Sequence, residues 1–248
     1  MRRATVRNET GLQTFPARSD RGSRRKGVAA IMAAIFGPRA NLVTNAVLLA
    51  LAGLAGFAAF LIWGVPRMHY NTQVSLIPLQ PVPFSHQHHV SGLGIDCRYC
   101  HASVEYAASA GMPSTATCMT CHSQIWTHAA MLAPVRQSLA ENKPLRWNRV
   151  YTLPDYVYFD HSIHVAKGVG CTECHGAIGD MPLTRRASDL TMRWCLDCHR
   201  DPAPHLRPRD KVFDPQWQRE SDTPSGAQLM ASYHIHPDDL SDCTVCHR

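Results

Sequence analysis

The 248-residue chain carries 25 Lys and Arg against 19 Asp and Glu, a formal net charge of +6. Much of the excess lies in an N-terminal run with no interleaved aromatic residues and no recognition fold after it, which argues against a nucleic-acid partner. The ten cysteines all share one repeated two-residue spacing, which excludes a disulfide framework.

Residues 1–41 form a basic tail, with Arg2, Arg3, Arg7, Arg18, Arg21, Arg24, Arg25, Lys26 and Arg39 against only Glu9 and Asp20. Its first 31 residues are polar and lack hydrophobic period, so they are expected to be disordered. The stretch 42–63, LVTNAVLLALAGLAGFAAFLIW, carries no charge. As a helix it covers about 33 Å, enough to cross a bilayer core of roughly 30 Å. Positive charge before it keeps the N-terminus cytoplasmic and sends the remainder across the inner membrane of a bacterium, to the periplasmic side. A cleaved signal would have an apolar region of only about 7–15 residues ending at small residues. This one is longer and exits through Gly64-Val65-Pro66-Arg67, so an uncleaved single-pass anchor is expected. Residues 64–80 read as a tether.

From residue 81 onward the chain is organised by five pentapeptides: Cys97-Arg98-Tyr99-Cys100-His101, Cys118-Met119-Thr120-Cys121-His122, Cys171-Thr172-Glu173-Cys174-His175, Cys195-Leu196-Asp197-Cys198-His199 and Cys243-Thr244-Val245-Cys246-His247. Cys-x-x-Cys-His is the attachment pattern of c-type haem: two thiols form thioethers to one porphyrin, and the histidine ligates its iron. A zinc ribbon has no use for a histidine after every second cysteine, and a thioredoxin-like redox motif would occur once. Five covalent haems c on about 170 residues leave too little chain for an ordinary core. The fold class expected is therefore mainly α and irregular, with short helices at the motifs and porphyrin filling the interior.

The periplasmic part, 81–248, carries an internal duplication. Phe84-x-His86-x-x-His89, the motif at 97 and the motif at 118 recur as Phe159-x-His161-x-x-His164, the motif at 171 and the motif at 195, at offsets of 75, 74 and 77 residues. Gly92-Leu93-Gly94 is echoed by Gly168-Val169-Gly170, and Met112-Pro113 by Met181-Pro182. Two dihaem units, 81–130 and 155–205, are thus followed by a fifth haem in 231–248. Histidines three apart on a helical turn point to nearly the same side. His86 and His161 are expected to cap the haem just downstream, and His89 and His164 a different one. The fifth distal ligand stays open among Met112, Met181, Met192, His128, His205, His234 and His236. Met181 is placed first and Met192 second, because a methionine opposite histidine raises the potential. His88 breaks the spacing and reads as a surface or propionate-contacting residue. The aromatic, β-branched segment 147–159 is expected to be extended and to pack over the haems.

The stretches Pro81-Val82-Pro83-Phe84-Ser85-His86-Gln87-His88-His89, Gly92 to His101, Trp147-Asn148-Arg149-Val150, Phe159-Asp160-His161-Ser162-Ile163-His164, Met181-Pro182-Leu183 and Trp194 to Arg200 resemble the pentahaem cytochrome subunit of bacterial alternative complex III. The likeness runs from about Met32 to Arg248. It implies a membrane complex that oxidises quinol and delivers electrons to a periplasmic cytochrome c or a terminal oxidase. Quinol oxidation would belong to polytopic subunits beside a large iron–sulfur subunit, and this chain would only relay electrons. Members of that family commonly begin near a motif like Met32-Ala33-Ala34-Ile35-Phe36-Gly37-Pro38, so translation is expected to start at Met32 or the preceding extension to be disordered. Two further readings stand beside this one. The same wire could run in reverse, feeding periplasmic electrons to menaquinone. A multihaem reductase enzyme would need an open iron, which five complete motifs and a surplus of distal candidates disfavour.

Overall fold

The computed structural model describes Gly37 and residues 39–247; most of the basic tail and the Met32 start lie outside these residues. A boundary between two compact units falls between Phe57 and Ala58. Helix α1 (Ala40–Ala59) has no charged residue and no buried one. Its winding loosens into a π turn at Phe60–Gly64 and tightens into a 3₁₀ turn at Val65–Arg67. Pro66 lacks an N–H, so the α ladder cannot continue through it. The helical run Ala40–Thr72, closed by α2 (His69–Thr72), has a mean hydropathy of 2.4 in its apolar window. It is the one described helix long and apolar enough to cross a membrane.

Within the second unit the tether is fastened to segments further along the chain. Ser75 N donates to Arg186 O at 2.7 Å, and Arg186 N to Leu76 O at 3.3 Å. Asn148 then clamps Gln80: its backbone N–H donates to Gln80 Oε1 at 3.0 Å, while Gln80 Nε2 donates back to Asn148 O at 2.7 Å.

Beyond the tether the described chain is helical and irregular, with no strand among the described residues and only two isolated bridges, Val157 with His247 and Val169 with Leu206. Each motif sits on its own short helix: α3 (Cys97–Cys100), α4 (Thr115–His122), then, after α5 (Ala133–Ala140) and α6 (His161–Ala166), α7 (Cys171–His175), α8 (Met192–Arg200) and, past α9 (Gly226–Ser232), α10 (Cys243–Cys246). These helices are too short to persist on propensity alone, and several carry a side-chain cap. Asp96 accepts from Arg98 N, Ser114 from Thr117 N, Asp160 from Ser162 N and Thr191 from Trp194 N. Ser225 and Gln228 form a reciprocal capping box on α9.

The protein-only core is small. One cluster joins Val82, Leu132 and Val135, packed by Met119, Leu145 and Trp147; another joins Leu206, Leu229 and Tyr233.

The two Phe-x-His-x-x-His turns wind differently. The second is the α-helix α6, whereas the first is a π turn, Gln87–Gly92. Eight steps separate His89 from Cys97 but seven separate His164 from Cys171. A π turn holds one residue more than an α turn, so the wider winding takes up the extra residue.

Gly94 and Gly168, two of the four described glycines with positive φ, sit in different surroundings. Gly94 (φ 67°) has open space around it, while a Cβ on Gly168 (φ 79°) would stand 2.6 Å from Arg207 O and 2.7 Å from the Tyr233 ring. Left-handed backbone costs an L residue about 1–2 kcal/mol. Gly94→Ala should therefore lower the thermal midpoint by about 2–8 °C for a domain of this size. Gly168→Ala, which adds overlap with rigid backbone, should lower it clearly further, as read by circular dichroism.

Candidate haem-binding sites

The five motifs are numbered here as sites 1 to 5 in chain order. At site 3, the rings of His161 and His175 lie 6.4 Å apart, centre to centre, and 8° from parallel. At site 4, His164 and His199 lie 6.2 Å apart, and at site 2 His89 and His122 also 6.2 Å apart. At site 1, His86 stands close enough to His101 for their charges to oppose one another. At sites 2, 3 and 4, then, a motif histidine faces a histidine of a Phe-x-His-x-x-His turn across nearly the same gap.

That gap has the size of an iron ligated on both sides. Two metal–nitrogen bonds of about 2 Å, plus roughly 1.1 Å from each ring centre to its nitrogen, give about 6.2 Å. The chain's residues thus fit a haem, whose iron these paired imidazoles would hold.

The phenylalanines set the ring directions identically in both turns. Phe84 meets His86 edge-on at 4.9 Å and stacks on His89 at 4.5 Å. Phe159 meets His161 edge-on at 4.8 Å and stacks on His164 at 4.6 Å. The π turn therefore changes the spacing in sequence without changing the arrangement of the rings.

Hydrogen bonds decide which nitrogen is free. His89 Nδ1 donates to Ser85 O (2.8 Å) and His164 Nδ1 to Asp160 O (2.7 Å). His161 Nδ1 donates to Ala108 O (2.8 Å), His101 Nδ1 to Gly111 O (2.8 Å) and His122 Nδ1 to Ile125 O (3.4 Å). His199 Nδ1 reaches Leu240 O (2.9 Å), and His247 Nδ1 reaches Tyr156 O (3.2 Å). A carbonyl only accepts, so the proton sits on Nδ1 and Nε2 keeps its lone pair for a metal. His86 Nδ1 instead pairs with the Thr184 hydroxyl at 3.0 Å. His175 is braced by the Tyr151 ring, edge-on at 4.7 Å.

Burial, reinforced by neighbouring imidazoles, keeps the most enclosed of these rings neutral. It pulls His86 down to about 4, with His101 and His89 adding to the effect, and His175 down to about 4, with His161, His101 and His86 adding. His164 is lowered as well, again chiefly by burial. A neutral imidazole is the ligating form.

The ten cysteines are unpaired. Burial pushes the Cys174 thiol up to about 12, helped by Cys198, Glu173 and Cys195, and the Cys198 thiol up to about 11, helped by Glu173, Cys195 and Asp201. The Cys97 and Cys171 thiols lie close enough to perturb each other's ionisation, and Cys97 Sγ donates to Phe213 O at 3.8 Å.

The other ligand candidates fall in varied places. Met181 is buried, 2 % exposed, with its carbonyl accepting from Gln87 N and its methyl near Gly176, a packing position beside site 3. Met192 begins α8 and is 65 % exposed. Met112 is exposed and lines a cavity of about 340 Å³ with Tyr99 and Cys100. His205 Nδ1 pairs with Glu173 at 3.0 Å. His234 and His236 are exposed. His88 is exposed and stacks on Trp126 at 5.6 Å. The segment 147–159 contains no helix, and two of its tyrosines lie against motif histidines, Tyr151 on His175 and Tyr156 on His247 at 5.8 Å.

The motifs alone do not point to the groups that hold the imidazoles. Backbone carbonyls of Ala108, Gly111 and Leu240 leave no trace in side-chain identity. Arg207 was also not singled out: buried to 3 %, it donates to Thr172 Oγ1 (2.9 Å) and Glu173 Oε1 (3.0 Å) behind α7 and stacks on Trp217.

Paired imidazoles beside Cys-x-x-Cys helices are the residue set that a multihaem c-type cytochrome would use. Comparison with known proteins agrees. Residues 163–248 match the family model of cytochrome c3. Over 124 residues the chain is 35 % identical to the menaquinone reductase multiheme cytochrome c subunit of Nitratidesulfovibrio vulgaris (strain Hildenborough), covering 50 % of this chain and 56 % of the relative. The chain thus spans little more than half the length of that curated relative.

Thr184→Val leaves His86 Nδ1 without its partner and should destabilise the protein by about 1–2 kcal/mol, whereas Thr184→Ser should be close to neutral. Urea unfolding followed by circular dichroism separates the two.

Proposed function

We propose that this chain is a membrane-anchored pentahaem cytochrome c that relays electrons within a quinone-linked respiratory complex. The observation that carries the reading is the recurring imidazole pair, a motif histidine and a turn histidine set an iron's width apart. The ten motif cysteines would hold five haems c. His101, His122, His175, His199 and His247 would be the proximal ligands, with His86, His122's partner His89, His161 and His164 distal at sites 1, 2, 3 and 4. Haem supplies one-electron iron chemistry when bound. The chain's own part is to hold each imidazole with Nε2 exposed, to exclude water with Phe84, Phe159 and Tyr151, and to keep the sites close together. No side chain here is assigned bond-making catalysis.

For the fifth site Met181 and Met192 remain the candidates, and position favours Met192. It lies one helical turn before Cys195, whose thiol neighbours Cys246, whereas Met181 packs against site 3. Helix α1 would be the single anchor, with the N-terminus cytoplasmic and residues 81–248 periplasmic, built as two dihaem units and a fifth haem.

The resemblance carried by the stretches around Phe84, Trp147 and Phe159 supports a first reading, in which the chain would serve in alternative complex III and pass electrons from quinol oxidation to a periplasmic cytochrome c or terminal oxidase. A second reading, with electrons entering from the periplasm and reducing menaquinone, is favoured by the relative's own activity. Both readings make polytopic quinone-binding subunits and an iron–sulfur subunit the partners. Purification of the native protein in mild detergent should recover such subunits. Quinol:cytochrome c activity of the complex would establish the first direction and menaquinone reduction by a reduced periplasmic cytochrome the second. Recovery of the chain alone would defeat both.

His164→Ala should convert one haem from six-coordinate low-spin to high-spin iron, adding an axial high-spin signal to the ferric electron paramagnetic resonance spectrum. A spectrum identical to the parent's would remove His164 from the ligand set.

A further inference from the structure

Resting on the pentahaem reading above, we infer that the five attachment sites are ordered in space 2–1–3–4–5, so that sites 2 and 5 are the two ends at which other redox proteins exchange electrons with this chain. The order differs from the order in sequence.

Four contacts establish it. Sites 1 and 2 are tied by the first turn, since His86 lies near His101, and His89, three residues on, faces His122. Their motif helices also touch, with the Tyr99 and Thr120 hydroxyls 2.8 Å apart. Sites 3 and 4 are tied in the same way by α6, His161 facing His175 and His164 facing His199.

Site 1 meets site 3. The Cys97 and Cys171 thiols lie close enough to perturb each other's ionisation. Ser91 Oγ, on the turn that serves site 1, donates to Gly179 O (2.8 Å) and Asp180 Oδ1 (2.6 Å), just past His175. His161 in turn bonds through both its amide and its Nδ1 to Ala108 O, in the loop that follows motif 1. Site 4 meets site 5: His199 Nδ1 donates to Leu240 O at 2.9 Å, three residues before Cys243, and α8 packs on the turn Pro237–Asp239.

Joined end to end, these contacts give each of sites 1, 3 and 4 two neighbours and each of sites 2 and 5 one. Exposure of the thiols agrees independently. Of the ten cysteines only Cys121, in site 2, and Cys243, in site 5, are exposed; the other eight are partly covered. The sites at the ends of the chain of contacts are therefore also those whose attachment edges face outward. The covalent arithmetic of attachment adds nothing to this order, because every site has the same two thiols and one imidazole.

The test is to locate the irons in crystals of the full-length holoprotein by anomalous scattering at the iron edge, each iron being assigned to its motif from the thioether positions. Expected is a path in which the site 1 iron has the site 2 and site 3 irons as neighbours, and the site 5 iron has the site 4 iron as its nearest. Five irons with the site 5 iron nearer to site 1 or site 2 than to site 4 would overturn the order while leaving the haem count intact. Fewer than five haems per chain, counted separately by pyridine haemochrome absorbance, would overturn the pentahaem reading and this order with it.

Discussion

An imidazole offers one nitrogen to a metal in a fixed tautomer and direction when the other nitrogen is held, and most of this fold is arranged around holding it. Seven of the nine histidines that form the candidate sites donate Nδ1 to a backbone carbonyl, and an eighth meets a threonine hydroxyl. Each such bond fixes the tautomer and the tilt of a ring together. Several of the acceptors belong to loops far away in sequence. Ala108 serves a histidine of the second half, and Leu240 one that lies on α8. The irregular segments are thus the structural counterpart of the histidines, and their lack of regular hydrogen bonding leaves carbonyls available for this task.

Such an arrangement explains how a chain with two small apolar clusters keeps a defined shape. Short helices capped by Asp96, Ser114, Asp160 and Thr191 present the motifs, and long-range polar contacts set them against one another. Arg207 is the most deeply committed of these contacts. Its guanidinium is buried behind α7, bonded to Thr172 and Glu173 and stacked on Trp217, with Nε left without a partner. A buried charge is tolerable only when paired, so the Glu173 carboxylate is part of the packing of this motif as well as of its charge.

The sequence made some levels legible and hid others. The attachment motifs declared themselves because covalent chemistry demands a rigid local pattern. The two turns were legible because three-residue spacing has one geometric meaning on a helix, and the ring contacts of Phe84 and Phe159 follow from it. The supporting carbonyls were not legible, since every residue has one and side-chain identity does not mark which is used. The fastening of residues 75–80 through Arg186 and Asn148 was hidden for a similar reason: a polar residue in a loop gives no sign of its distant partner. Met181 is a further case. A methionine beside a motif reads equally as ligand or filler from sequence, and only its burial beside Gly176 distinguishes the environments.

The π winding of Gln87–Gly92 bears on how a duplicated scaffold drifts apart. An inserted residue ordinarily rotates everything after it, and in a ligand-bearing turn that rotation would misdirect an imidazole. Here the surplus residue is stored as a local widening of the coil, and both turns keep the same ring separations. Length can therefore vary between the two halves while their coordination geometry stays in register, which makes the turn a buffer between genetic change and electronic function.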